Sequence, residues 1–164
     1  MRLAHLAVLP ALLIATAASA ADTIPLAALI TNGLVEGAKV MVSGFGNGTA
    51  ALKEPGYYEV TFDKAVMKFL FDEPDTCNVT LHAEIPGQGT VEIRYDFTAV
   101  TGIKIEGKGQ FDGLNAVLAT IEGPGVVQVL MNDKWVTQPG FAFLGTSLTA
   151  ADLQTAADEL QRIC

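Results

Sequence analysis

The chain has 164 residues, with 18 acidic against 10 basic side chains and a formal net charge of −8 at neutral pH. That balance argues against nucleic acid as a partner, because such binding depends on Lys and Arg neutralising phosphates. It equally disfavours an anionic membrane surface.

The first 20 residues, MRLAHLAVLPALLIATAASA, hold one basic side chain, an apolar stretch from Leu6 to Ala17, and small residues at Ala18 and Ala20. This is the pattern of a secretory signal peptide with an A-x-A cleavage site. A membrane anchor would need about 20 apolar residues in succession, whereas Pro10 interrupts this run. The expectation is an exported protein, periplasmic or secreted, whose Ala-rich leader looks bacterial. Its mature chain would begin near Ala21, form one domain over 21–164 and contain no integral membrane segment. Losing the leader leaves 144 residues, a usual size for one domain. A chain of that length buries close to about 70% of its unfolded surface, so its core requires no metal or dense disulfide framework.

After the leader, Pro25 to Ala38 reads either as a short helix weakened by Gly33 and Gly37 or as an extended lead-in. From there the dominant period is two. In TCNVTLHAEI, Cys77, Val79, Leu81, Ala83 and Ile85 fall on one face and Asn78, Thr80, His82 and Glu84 on the other. TVEIRYDFT opposes Val91, Ile93, Tyr95 and Phe97 to Glu92, Arg94 and Asp96 in the same way. Both are half-buried antiparallel strands. AKVMVS, YYEVTF, GIKIEG, LNAVLATI, VVQVLM and WVTQPGFAFL supply further strands, with SGFGNG, EPG, PGQG, FDG, EGPG and MNDK as the breakers between them. About eight short strands at this spacing predict a mainly β fold, an antiparallel sandwich or barrel.

Near the C-terminal end the period changes. Leu153, Ala156, Ala157, Leu160 and Ile163 share one stripe of a predicted helix, and Thr149 with Asp152 forms a capping-box pattern. The helix should lie on the sheet through that stripe. Two cysteines follow the leader, Cys77 and Cys164, 87 positions apart. In an oxidising compartment they permit one intramolecular bond, which would pin the last helical turn to the strand beginning at Cys77.

Motifs for chemistry are sparse. GIKIEGK, Gly102 to Lys108, satisfies G-x-x-x-x-G-K, but Gly109 stands where a phosphate loop needs Ser or Thr. SGFGNG has Thr49 in place of the third glycine of a dinucleotide-binding turn. His82 is the one histidine beyond the leader, too little for a zinc site, and oxidised cysteines offer no thiolate. No cofactor, metal site or catalytic residue is expected, although two carboxylates on separate loops could converge without leaving a signature. FDEPD gathers Asp72, Glu73 and Asp75 into a predicted acidic turn whose spacing does not match an EF-hand loop. NGT at Asn47 and NVT at Asn78 fit the N-glycosylation pattern, which matters only in a eukaryotic secretory pathway.

Two aromatic residues stand out by position: Phe45 between glycines, and Trp135, the single tryptophan, just after the MNDK turn. Exposed aromatics on loops are favoured anchors at interfaces. The functional expectation is therefore a non-enzymatic binding module that recognises another protein through loops at one end of the sandwich. The alternatives are a β-barrel carrier of a small apolar ligand and, behind it, a carboxylate-based hydrolase.

Overall fold

The computed structural model describes residues 23–42, 44–111, 114–144 and 147–164, with the side chains at 110–115 and 141–146 left aside. The predicted leader and its cleavage residues Ala18 and Ala20 lie outside these residues, as do Asp112 and Gly113 of the FDG turn.

Helix α1, Thr23–Asn32, is apolar on nearly every side. A helix of that kind can only be stable buried, and Ala27, Ala28 and Ile30 are fully inaccessible. Pro25 is tolerated because it sits in the first turn, where backbone N–H groups lack intrahelical acceptors. Gly33, at φ +66°, ends the helix, its N–H donating to the Leu29 carbonyl at 2.8 Å. The segment after the leader is thus the helix of the two readings, and it contributes to the core.

Nine strands follow: β1 Lys39–Val42, β2 Gly46–Glu54, β3 Tyr57–Thr61, β4 Val66–Asp75, β5 Asn78–Ile85, β6 Gly89–Asp96, β7 Gly102–Phe111, β8 Leu114–Met131 and β9 Lys134–Leu144. All belong to one antiparallel sheet of order β1-β2-β3-β4-β5-β6-β8-β7, with β9 on β8. The sheet does not close into a barrel. Across it, alternate residues such as Met67, Phe69, Phe71, Val79, Leu81, Ala83 and Tyr95 form the buried face with α1, while their neighbours face outward.

Two strands go beyond the sequence reading, and two predicted strands become one. SGFGNG was expected to be a breaker, yet Gly46, Asn47 and Gly48 begin β2. Glycine suits the position: a Cβ on Gly48 would sit 2.6 Å from Val60 Cγ1 and 2.8 Å from Phe62 Cε1. FDEPD is the end of β4 rather than a turn, with an irregularity in the β4–β5 pairing between Asp72 and Asp75. LNAVLATI and VVQVLM join across EGPG into the single bent strand β8, whose pairing with β9 shifts between Glu122 and Val127. β7 pairs with the first half of β8 and β6 with the second, so the short 3₁₀ helix Phe97–Ala99 turns the chain where β8 bends.

The C-terminal helix α2, Ala150–Ile163, has the predicted stripe: Leu153, Ala156, Ala157 and Leu160 are buried. Its capping box is complete, with Thr149 N–H donating to Asp152 Oδ2 at 2.9 Å and Asp152 N–H to Thr149 Oγ1 at 3.2 Å. α2 packs on α1 and β7. Cys77 and Cys164 are joined in a disulfide, their Cα atoms 5.6 Å apart, so the last turn is pinned at the head of β5.

Candidate functional site

Because consecutive strands run up and down, the β1–β2, β3–β4, β5–β6 and β8–β9 reversals gather at one end of the sheet. Phe45 stands at the tip of the first. Gly44 and Gly46 flank it at φ +86° and +81°, left-handed values that glycine adopts without a Cβ penalty. The Phe45 N–H closes the turn on the Val42 carbonyl at 3.0 Å. Its ring is half-buried, leaning on Phe62 with centroids 5.7 Å apart. Phe45 is therefore a braced side chain with one side left to solvent.

That bracing creates relief. A depression of about 450 Å³ is lined by Phe45, Phe62, Asp63, Lys64 and Ala65 and closed by Pro86. A neighbouring one of about 370 Å³ runs from the far side of Pro86 past Ile85 and Val66 to Lys68 and Glu84. Lys68 and Glu84 pair across the rim at 3.0 Å, and the Glu84 carboxylate holds the Lys68 ammonium above its ordinary pKa. Val66, 43% exposed, is one of the few large apolar side chains open to solvent.

Trp135 lies elsewhere. It is half-buried on the outer face near the start of β9, with the Arg94 guanidinium 3.8 Å from its ring centroid. The two sequence-predicted contact residues thus belong to different surfaces. Beside Arg94 a groove of about 460 Å³ crosses the outer face of β5 and β6. His82, on the same face, lies 3.2 Å from Asp72 and 3.9 Å from Glu92, and Glu92 is 3.6 Å from Arg94.

The carboxylates of FDEPD point in different directions, which is why they form no oxygen cage. Asp72 faces His82, and Glu73 turns inward with Oε1 buried, where desolvation first and Asp75 second raise its pKa. Asp75 folds onto Asn78, whose amide, with backbone N–H donors, pulls its pKa down. Among the described residues no group of three or more His, Cys, Asp and Glu could hold a metal ion. The Asn78 amide of the NVT sequence is engaged with both Asp75 oxygens, at 2.9 Å each. GIKIEGK is part of strand β7 and offers no loop for a phosphate.

No protein-family model, curated protein or solved structure matches this chain. Function must be argued from the surface itself. No helix among the described residues is long and apolar enough to cross a membrane, and the disulfide is compatible with an oxidising compartment. Sequence reasoning singled out Phe45 by its flanking glycines but not the residues around it. Phe62, Pro86 and Val66 reach it only through the meander, and no local string links them.

Proposed function

We propose that this chain is an exported recognition module that grips a partner protein by its turn end, with Phe45 as anchor and no chemistry of its own. The observation that carries the reading is the pair of adjoining depressions meeting at Pro86, apolar inside and rimmed by Lys64, Asp63, Lys68 and Glu84. An apolar centre inside a charged rim is the anatomy of a protein interface. A half-buried ring held by Phe62 loses little freedom on binding, so the solvent-facing remainder of its surface contributes nearly its full transfer free energy, on the order of 1 kcal/mol. That is enough to matter in an interface and too little to define one, which is why the neighbouring depression belongs to the reading.

The carrier alternative has less support. It needs an open interior, and α1 fills the space inside the curved sheet with Ala27, Ala28, Ile30 and, just beyond the helix, Leu34.

The test is a pull-down from the native exported fraction with wild type and Phe45→Ala, after both are found to unfold at the same midpoint. Loss of a specific partner from the variant is the expected outcome. Equal recovery of every specific partner would remove Phe45 from the site, and co-purification of a lipid-like molecule would favour the carrier.

A further inference from the structure

The largest of the surface depressions described lies away from the turn end, and its making is visible in the strand pairings. β5 and β6 form a two-strand floor whose outward residues pair Asn78 with Asp96 and Thr80 with Arg94. Gln128 of β8 extends the second row, opposite Arg94. Pro74 and Asp75, at the β4–β5 irregularity, and Gly125, at the bend in β8, complete the depression's lining. Bulges of this kind interrupt a ladder and re-aim the side chains beside them, and they recur next to binding sites. The result is a groove of about 460 Å³ with a polar floor.

Its side chains are held in place. Asp75 Oδ1 accepts from the backbone N–H groups of Cys77 and Asn78, both at 3.1 Å. Asp96 Oδ1 accepts from Thr98 N–H at 3.0 Å and from Thr98 Oγ1, bonds in which Oδ2 takes no part. Arg94 stacks on Trp135 at 3.8 Å, and its closest charged neighbour, Glu92, is 3.6 Å away, beyond hydrogen-bond distance. The guanidinium therefore sits over the Trp135 ring, and with the side chain 52% exposed its N–H groups can be reached by a ligand. The free Oδ2 of Asp96, the Arg94 guanidinium, the Gln128 amide and the Thr80 hydroxyl line one depression, beside the Asp75–Asn78 pair, whose carboxylate and amide already bond each other.

We propose that this groove is a ligand site distinct from the turn end, and that it takes a neutral, polyhydroxylated molecule, a segment of glycan. The charges select against the other classes. Asp75 and Asp96 disfavour an anion and Arg94 disfavours a cation, while a wholly apolar ligand would strip water from these polar groups without replacing their hydrogen bonds. A sugar hydroxyl donates and accepts at once, and a vicinal pair matches the two-pronged geometry of carboxylate, amide and guanidinium.

The chain contains a single tryptophan, and it lies under Arg94, so Trp135 fluorescence reports directly on the groove. The full mature protein is titrated with maltotriose, cellotriose and chitotriose, followed by fluorescence and by saturation-transfer NMR on the sugar protons, with trigalacturonic acid and glycine as charged comparisons. A saturable response to at least one neutral sugar is expected. Arg94→Lys, which keeps the charge but loses the fork and the stack, should weaken it by about tenfold or more. Gln128→Ala should weaken it too, both variants unfolding at the wild-type midpoint, with Thr80→Val available should either be destabilised. Saturation transfer to none of the three neutral sugars would overturn the proposal. So would binding confined to trigalacturonic acid or glycine, or neutral-sugar binding that survives these substitutions.

Discussion

Leu160→Ala tests whether α2 belongs to the core or is an appendage. Leu160 is 1% exposed and lies in the last turn, its carbonyl accepting from Cys164 N–H at 2.9 Å. Truncating a buried leucine costs the lost transfer free energy plus a term for the cavity left behind, about 2 to 5 kcal/mol in all. Where in that range the value falls depends on how far the surroundings collapse. Here they are held: Cys164 is tied to Cys77 on one side, and α1 packs against α2 on the other. The upper half of the range is expected, about 3 to 5 kcal/mol. In a domain of this size each kcal/mol moves the thermal midpoint by roughly 2 to 4 °C, so a fall on the order of 10 °C should be seen by circular dichroism. Gln161→Ala, one residue on and exposed, is the control and should change stability by less than about 0.5 kcal/mol. Equal midpoints for the two variants would refute the reasoning, because the stripe could not then be buried in the monomer.

The Cys77→Ser, Cys164→Ser double variant opens a link between residues 87 apart and should lose about 4 to 5 kcal/mol in urea unfolding on the chain-entropy model. Export with cleavage after Ala20 predicts an intact mass equal to residues 21–164 less two hydrogens, and labelling of both cysteines by a thiol reagent in the unreduced native protein would contradict the bond. Gly48→Ala places a methyl group 2.6 Å from Val60 Cγ1 and should cost about 1 to 3 kcal/mol through overpacking, read from the denaturation midpoint. Tyr95 is buried and burial pushes its phenol pKa well up, outweighing bonds with Thr31 and Asn32. The folded state therefore holds this proton after the unfolded chain has lost it. Stability should be flat in this respect below about pH 10 and fall above it by about 1.4 kcal/mol per pH unit, a slope that Tyr95→Phe should reduce.

The mainly β class, the pairing of Cys77 with Cys164 and the capped helix α2 were legible because each leaves a local or countable mark. Alternation is visible in β5 and β6, which have one face to water. β4 was not among the expected strands, because VMKFLF is apolar at five of six positions and its alternation exists only in burial, while FDEPD reads as an acidic turn. β2 was missed because GNGTAALKE is poor in the β-branched and aromatic residues that mark strands, and Gly48 is required there by its neighbours rather than by a turn. EGPG was read as a break between two strands when tertiary pairing carries β8 through it as a bend. The same limit applies to the surfaces. Phe45 could be picked out from its flanking glycines, but the groove beside Arg94 depends on irregularities in two non-adjacent strands, which no single stretch of sequence records.

The bent strand β8 has a further consequence for how the molecule breathes. Its first half is held between β7 and β9 and its second between β6 and β9. A strand bonded on both edges can release its amides only when a flanking strand is lost, and β9 pairs with both halves, over Leu118–Glu122 and Val127–Met131. The two halves of the sheet therefore share one central member and cannot open as separate units, so the protein should lack a low-energy partial unfolding that frees either half alone. In native-state hydrogen exchange the amides from Leu118 to Ile121 and from Val127 to Val129 should be the last to exchange, and they should do so together, at the free energy of global unfolding.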